Sequence, residues 1–344
     1  MKNRETGLDI LKTIAVLFVV CVHFYLNCGY YSANLEGTRM FIMTVSRWLF
    51  IICVPLFMML TGYFKSNKTI SKSHYMSLIP LAIAYVLISI YKMLIVNCFF
   101  GRLYTFDFGV RNIANYQIAW YMGMYLSLML IIPFLNKMWK ACNSRKEHNI
   151  LLLSLVFISM MYPVVQYIAP SYWQMLYPLA YYFGGIYIKE YQPKLNKILL
   201  AIIAIVTVFI EAVVSWGFAK GGAFVWAVLG PVDSGYSTAT VGLTTACVFL
   251  IFYDVKINNE LIKKALKSIS DCSFEMYLFT TTYDAIIFFY LKRYVFEAKD
   301  FFWWIFATVP ASFILAWISS VIYKLLYRVI SGYVVGRIRK EKTT

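Results

Sequence analysis

The sequence predicts an all-α, polytopic integral membrane protein with about ten transmembrane helices and with both termini in the cytoplasm. Hydrophobic residues make up 61% of the 344 residues and charged residues only 14%, whereas soluble domains carry about 25% charged residues. Apolar runs recur along the whole chain, and no mixed stretch of about 100 residues separates them. We therefore expect a single membrane-embedded domain over 1–344 without an attached soluble domain.

Ten apolar runs approach the length of about 20 residues that a helix needs to cross a bilayer. In chain order, the predicted spans are 9–29, 41–64, 76–98, 117–135, 149–168, 172–188, 197–218, 236–253, 272–291 and 302–328. Pro163, Pro170 and Pro178 interrupt the fifth and sixth runs, which form either two spans or a broken, re-entrant hairpin. No small-residue cleavage site follows the first run, so we interpret it as an uncleaved span.

The basic residues orient these spans. With the N-terminus inside, the cytoplasmic segments carry roughly three times as many Lys and Arg residues as the external segments. This bias and contacts with anionic lipid explain the net charge of +16, so we expect the cytoplasmic membrane as the location and no nucleic-acid binding. The seven cysteines form no CxxC pair and the three histidines lack ligand spacing, so no metal site is predicted.

Several ionisable side chains fall inside the spans, where each costs roughly 2.5–3.5 kcal/mol on insertion scales. Lys12 and His23 share one face of the first helix, about 16 Å apart along its axis, and Asp9 is spaced to pair with Lys12. Arg47 and Glu211 lie at a depth similar to that of His23. The three side chains converge if their helices are neighbours, which would make a catalytic site of His23, Arg47 and Glu211.

Each of these residues also has a structural interpretation. His23 can be a hydrogen-bonding residue between helices, Asp9 and Lys12 can form an interfacial ion pair, and Arg47 can neutralise Glu211. Trp120 and Tyr121 open the fourth span on the predicted outer side, where they either form an aromatic belt or meet an acceptor.

Four stretches in order resemble the bacterial membrane-integral acyltransferases called acyltransferase-3. The first is GLDILKTIAVLFVVCVH, which holds Lys12 and His23 at the family spacing. The others are SRWLFIICVPLFMMLTGYF at 46–64, AWYMGMYLSLMLIIPFLN at 119–136 and SDCSFEMYLFTTTY at 270–283. Two positions depart from the family pattern: the entry to the third span, SHYMSLIPLAIAY at 73–85, has no arginine, and Thr280 stands where many members have a histidine.

The resemblance implies transfer of an acyl group, most often acetyl, from cytosolic acyl-CoA to a hydroxyl of a cell-envelope polysaccharide or lipid-linked sugar. Lys65, Lys68 and Lys72, with Lys12, are the candidates to meet the CoA phosphates. His23 would then be the base and Arg47 the oxyanion donor, while Glu211 orients His23 or pairs with Arg47. Besides these substrates we expect membrane lipids as partners, and a homodimer is compatible with the sequence.

The competing interpretation is a transporter or flippase for a lipid-linked or amphipathic substrate. Ten spans, the polar stripe and the proline-broken region favour it. The sequence contains no visible internal repeat, which many secondary transporters have.

Overall fold

The protein is described by a computed structural model over residues 6–101, 103–161, 164–225 and 235–341, with side chains left out at 166 and 331–341. Within these residues the chain is helical and contains no strand, which confirms the all-α class. The helices are α1 Thr6–Asn27, α2 Gly37–Phe50, α3 Cys53–Lys65, α4 Lys72–Met76, α5 Ile79–Phe100, α6 Phe106–Ala114, α7 Trp120–Ala141, α8 Arg145–Met160, α9 Tyr177–Tyr191, α10 Lys197–Ala219, α11 Ala239–Phe252, α12 Glu260–Leu291 and α13 Ile305–Glu341.

Six helical stretches among the described residues are long and apolar enough to cross a bilayer. They are Thr6–Asn27, Gly37–Lys65, Lys72–Phe100, Trp120–Ala141, Lys197–Ala219 and Ala298–Ile330. Each predicted span overlaps a helix, but α8, α9 and α11 have only 16, 15 and 14 residues. The chain is therefore a multi-pass membrane protein, while the count of ten spans and the cytoplasmic termini stay predictions.

Prolines explain where the helices depart from the predicted spans. The second span is divided between α2 and α3, because Pro55 lacks an amide hydrogen and its ring crowds the carbonyl of Ile51. The fifth and sixth runs, predicted as either two spans or a broken, re-entrant hairpin, are interrupted. Helix α8 ends at Met160, and two short 3₁₀ helices follow before α9, Val164–Tyr167 and Ser171–Leu176. Pro163 lies outside the described residues.

A short helix that the sequence analysis did not predict, α6, lies between α5 and α7. The Thr105 hydroxyl caps it by accepting the Phe108 amide hydrogen. The Tyr85 hydroxyl on α5 donates to the carbonyl of Ile113 at 2.8 Å, so α6 is held against α5.

The packing of α1 determines which residues can meet its polar face. Leu11, Ala15 and Val16 on α1 are fully buried, and α1 packs along α12 and also contacts α3 and α13. In contrast, α10 packs mainly on α2 and α11. Polar residues of α12 and α13 are therefore placed to contact the His23 face of α1, whereas those of α10 are placed near α2.

Glycines allow α3 and α9 to cross at close range. A methyl group built on Gly62 would meet the backbone carbonyl of Tyr182, and one built on Gly185 would meet the carbonyl of Met59, both closer than 3.0 Å. Small residues at such crossings let two helix backbones touch. This crossing holds α3 in place, and α3 lines the cavity described below.

We predict that Gly185→Ala lowers the free energy of unfolding by about 1–3 kcal/mol, because the added methyl group overpacks this crossing. Thermal unfolding of the purified protein in detergent measures the effect. Gly184→Ala is the matched control, because its new methyl group would make only an ordinary 3.7 Å contact with Met59. Equal stability of the two variants would contradict the close crossing.

Candidate functional site

A histidine–carboxylate pair joins α1 to α12. The His23 Nδ1 atom lies 3.0 Å from the Asp284 Oδ2 atom. Because a carboxylate only accepts hydrogen bonds, this contact places the proton of a neutral imidazole on Nδ1. The Nε2 lone pair is then available as a base.

The second oxygen of Asp284 is bonded to α13. Ser312 Oγ donates to Asp284 Oδ1 at 2.7 Å, and both residues are buried. On the neighbouring helix α5, Lys92 lies close enough to Asp284 to interact with it electrostatically. The carboxylate is thus fixed between α1 and α13, and its negative charge is partly compensated.

Neighbouring groups restrict the His23 ring and leave it partly accessible. Thr280 Oγ1 lies 3.5 Å from His23 Nδ1 and donates to the Tyr277 carbonyl at 2.9 Å. Asn27 Nδ2 donates to the His23 carbonyl at 2.8 Å. The His23 side chain is 14% exposed, whereas that of Asp284 is 5% exposed, so the imidazole is the accessible member of the pair.

A cavity of about 420 Å³ lies between α1, α3, α5, α7, α12 and α13, and its lining residue Tyr277 has its ring centre 6.4 Å from that of His23. Along α3 it extends from Lys65 to Phe57, eight residues or about 12 Å. Its lining residues are Lys12, Phe57, Leu60, Thr61, Phe64, Lys65, Leu81, Tyr121, Tyr125, Ser270, Asp271, Ser273, Phe274, Glu275, Tyr277 and Lys324.

One end of this cavity carries basic side chains. Lys12, Lys65 and Lys324 line it together with two acidic residues, Asp271 and Glu275. Both acids have ion-pair partners: Lys267 lies 2.7 Å from the Asp271 carboxylate, and Lys324 lies 3.2 Å from Glu275. The Lys12 ammonium lies 4.7 Å from the centre of the Phe64 ring. The basic end can therefore attract an anionic ligand.

The other end is aromatic and lies next to His23. The Tyr121 and Tyr277 rings meet edge to face with centres 5.6 Å apart, and the Tyr277 ring centre is 6.4 Å from that of His23. Both separations fall in the range of about 4.5–7 Å found for rings in contact. A ligand that enters past the lysines would meet the Tyr277 ring at this end, next to the imidazole.

Arg47 and Glu211, which the sequence placed with His23, belong to a second polar cluster. Arg47 is fully buried and its guanidinium packs over the rings of Trp48 and Phe224, at 4.2 and 4.9 Å. Glu211 accepts a hydrogen bond from Thr240 and interacts electrostatically with Arg47.

The carboxylate that contacts the imidazole is Asp284 and not Glu211. The physical reason is the packing, since α12 lies along α1 whereas α10 lies against α2 and α11. The position of Glu211 fits its other predicted role, as the partner of Arg47. A role for Arg47 at an oxyanion stays a prediction.

The residues predicted to bind the donor do not all line the cavity. Lys12 and Lys65 line the cavity, whereas Lys68 and Lys72 are exposed on the loop after α3 and at the start of α4. Asp9 is buried on the first turns of α1. Donor binding by Asp9, Lys68 and Lys72 stays a prediction.

The two aromatic residues assigned to the acceptor side, Trp120 and Tyr121, have different surroundings. Tyr121 is buried and lines the same cavity as Lys12. Trp120 is 47% exposed, and its ring centre lies 5.5 Å from that of Tyr236. Tyr121 thus shares a cavity with the lysines predicted for the donor, and only Trp120 presents a large exposed surface.

The site contains four residues that the sequence did not predict for it: Asp284, Ser312, Tyr277 and Lys324. Asp284 could have been found from its position, because a carboxylate inside an apolar span requires a partner. The sequence contains no comparable indication for Lys324 or Ser312. A lysine near the end of a predicted span and a serine within one are both common. Tyr277 stands in the SDCSFEMYLFTTTY motif, but its position opposite His23 depends on helix packing.

The other two histidines have structural roles. His74 Nε2 lies 2.9 Å from the Met129 carbonyl. His148 stacks on Trp139 with ring centres 3.9 Å apart, and its two ring nitrogens contact Tyr191 and the Trp139 carbonyl. His23 is the histidine paired with a buried carboxylate beside the cavity.

Comparison with known proteins identifies the family of the chain. No curated protein and no solved structure matches the chain. The family model described as an acyltransferase domain, acyltransferase-3, matches residues 5–321. This match runs from α1 into α13 as far as Val321, and it includes His23, Asp284 and all the lining residues of the cavity up to Tyr277. The chain therefore belongs to the acyltransferase-3 family and is a membrane acyltransferase.

Proposed function

We propose that the protein is an O-acyltransferase, and specifically an O-acetyltransferase, of the cytoplasmic membrane. It moves an acyl group from cytosolic acyl-CoA to a hydroxyl of a cell-envelope glycan or a lipid-linked saccharide. The observation that carries this proposal is that the imidazole of His23, oriented by Asp284, lies next to Tyr277, which lines the aromatic end of a cavity whose other end is basic.

The cavity suits the donor in both charge and shape. CoA is strongly anionic at its phosphates and narrow along its pantetheine arm, so the phosphates would lie near Lys12, Lys65 and Lys324. Lysine ammonium groups bind phosphate as point charges. The arm would extend along α3 toward Tyr121 and Tyr277, which brings the thioester to the side of the cavity that adjoins His23.

The His23–Asp284 pair supplies the proton transfers. The Nε2 atom of His23 takes the proton of the acceptor hydroxyl as its oxygen attacks the thioester carbonyl carbon. A new C–O bond forms, the C–S bond breaks, and the imidazolium returns its proton to the CoA thiolate. Asp284 stabilises the imidazolium and keeps the ring in the productive tautomer.

The acceptor would approach from the predicted outer side. A cavity of about 530 Å³ lies beyond the C-terminal end of α1, and its lining includes Ser32, Asn34, Glu36 and Glu297. Hydroxyl, amide and carboxylate groups are suitable hydrogen-bonding partners for sugar hydroxyls. This cavity begins at Cys28, five residues or about 8 Å along the helix from His23.

We predict that His23→Ala abolishes acyl transfer and that Asp284→Asn lowers kcat by about 10²–10⁴, because an amide at 284 no longer enforces the tautomer. Transfer of labelled acetyl from acetyl-CoA by purified protein in detergent is the measurement. Asp300→Asn is the control, because it removes an exposed carboxylate that lies 3.6 Å from Arg39 and outside the donor cavity. Activity near the wild-type level in His23→Ala, with normal folding, would exclude histidine catalysis.

We predict that Lys12→Ala raises KM for acyl-CoA about tenfold and leaves KM for the acceptor nearly unchanged, since Lys12 lines only the donor cavity. A loss of about 1.4 kcal/mol of phosphate binding corresponds to this factor. Lys146→Ala removes the same charge from an exposed position at the start of α8 and serves as the control. Equal increases in KM for both substrates would argue against a donor site here.

A further inference from the structure

The ring of Tyr277 forms the end wall of the donor cavity. It lines the cavity, and its centre lies 6.4 Å from the centre of the His23 ring, which is not among the lining residues. The side chain is 6% exposed. The wall therefore stands between the space that would hold the pantetheine arm and the base that the reaction needs.

Neighbouring aromatic rings support this wall. Tyr277 meets Tyr121 edge to face at 5.6 Å, and Tyr121 in turn stacks on Tyr125 at 5.7 Å and contacts Phe57 at 6.2 Å. The Tyr277 backbone is also fixed, because its carbonyl accepts a hydrogen bond from Thr280. Tyr277 cannot turn toward α3 or α7 without displacing these rings.

The wall restricts the size of the group that can react. The carbonyl carbon of the thioester must approach His23, so the chain beyond that carbon has to fit between the rings of Tyr277, Tyr121 and His23. The Tyr277 ring already contacts each of the other two rings. A single methyl group needs little space there, whereas each further methylene would have to displace ring atoms in a packed interior, which is costly.

We propose that Tyr277 determines acyl-chain length and restricts transfer to an acetyl-sized group. This inference rests on the proposed acyltransferase function and deepens it, because it names the donor class as short-chain acyl-CoA and assigns the selectivity to one side chain. Tyr277 acts by excluding longer chains, and the base remains His23.

The test compares acetyl-, butyryl- and hexanoyl-CoA as donors for the purified wild type and for Tyr277→Ala. The wild type should prefer acetyl-CoA. Tyr277→Ala should raise the ratio of kcat/KM for butyryl-CoA to kcat/KM for acetyl-CoA at least about tenfold, since one methylene in an apolar pocket commonly changes this ratio by 10–200-fold. If Tyr277→Ala does not accumulate as folded protein, Tyr277→Leu opens the same space in part and should shift the ratio in the same direction.

Two control variants separate the wall from other effects. Tyr277→Phe keeps the ring and should keep the acetyl preference. Tyr167→Ala removes an exposed aromatic side chain that does not line this cavity, and should also leave the preference unchanged.

Three results would overturn the inference while the proposed function stands. They are an unchanged ratio in folded Tyr277→Ala or Tyr277→Leu, an equal shift in Tyr277→Phe, and a wild type that uses hexanoyl-CoA as well as acetyl-CoA. A wild type that transfers no acyl group from any of the three donors would instead refute the proposed function itself.

Discussion

The contact between His23 and Asp284 is the interaction on which the rest of the site depends. A carboxylate buried within a membrane span is costly by itself, and here its two oxygens are bonded to an imidazole on α1 and a hydroxyl on α13. The same contact gives His23 a fixed tautomer and a free Nε2 atom. One polar interaction therefore both stabilises the packing of three helices and prepares a base.

The cavity next to this base has two chemically different ends. Lysines at one end suit a charged cytosolic donor, and aromatic rings at the other end suit an apolar acyl group. The separation of about 16 Å between Lys12 and His23 along α1 means that one helix contributes to both ends. The close crossing of α3 and α9 at Gly62 and Gly185 keeps the opposite wall of the cavity in place.

Much of the fold was predictable because hydrophobicity and helical periodicity are local properties. The positions of the helices, the polar stripe of Lys12 and His23 and the family resemblance all follow from residues that are near one another in the sequence. The breaks at Pro55 and after Met160 follow from proline chemistry, although the sequence analysis used that chemistry only for the fifth and sixth spans.

The partners of His23 could not be predicted in the same way, because they depend on which helices are neighbours. Glu211 and Asp284 are both carboxylates at a suitable depth, and only the packing of α12 along α1 selects Asp284. The placement of Tyr121 in the same cavity as Lys12 likewise depends on how α7 packs in the bundle.

The most direct test of the account is the stoichiometry of the reaction catalysed by the purified wild-type protein in detergent with labelled acetyl-CoA. We expect one free CoA thiol to be released for each acetyl ester formed, and only when a hydroxyl acceptor is present. Failure of the folded protein to form any ester, or thiol release that is independent of the acceptor, would contradict direct transfer at His23.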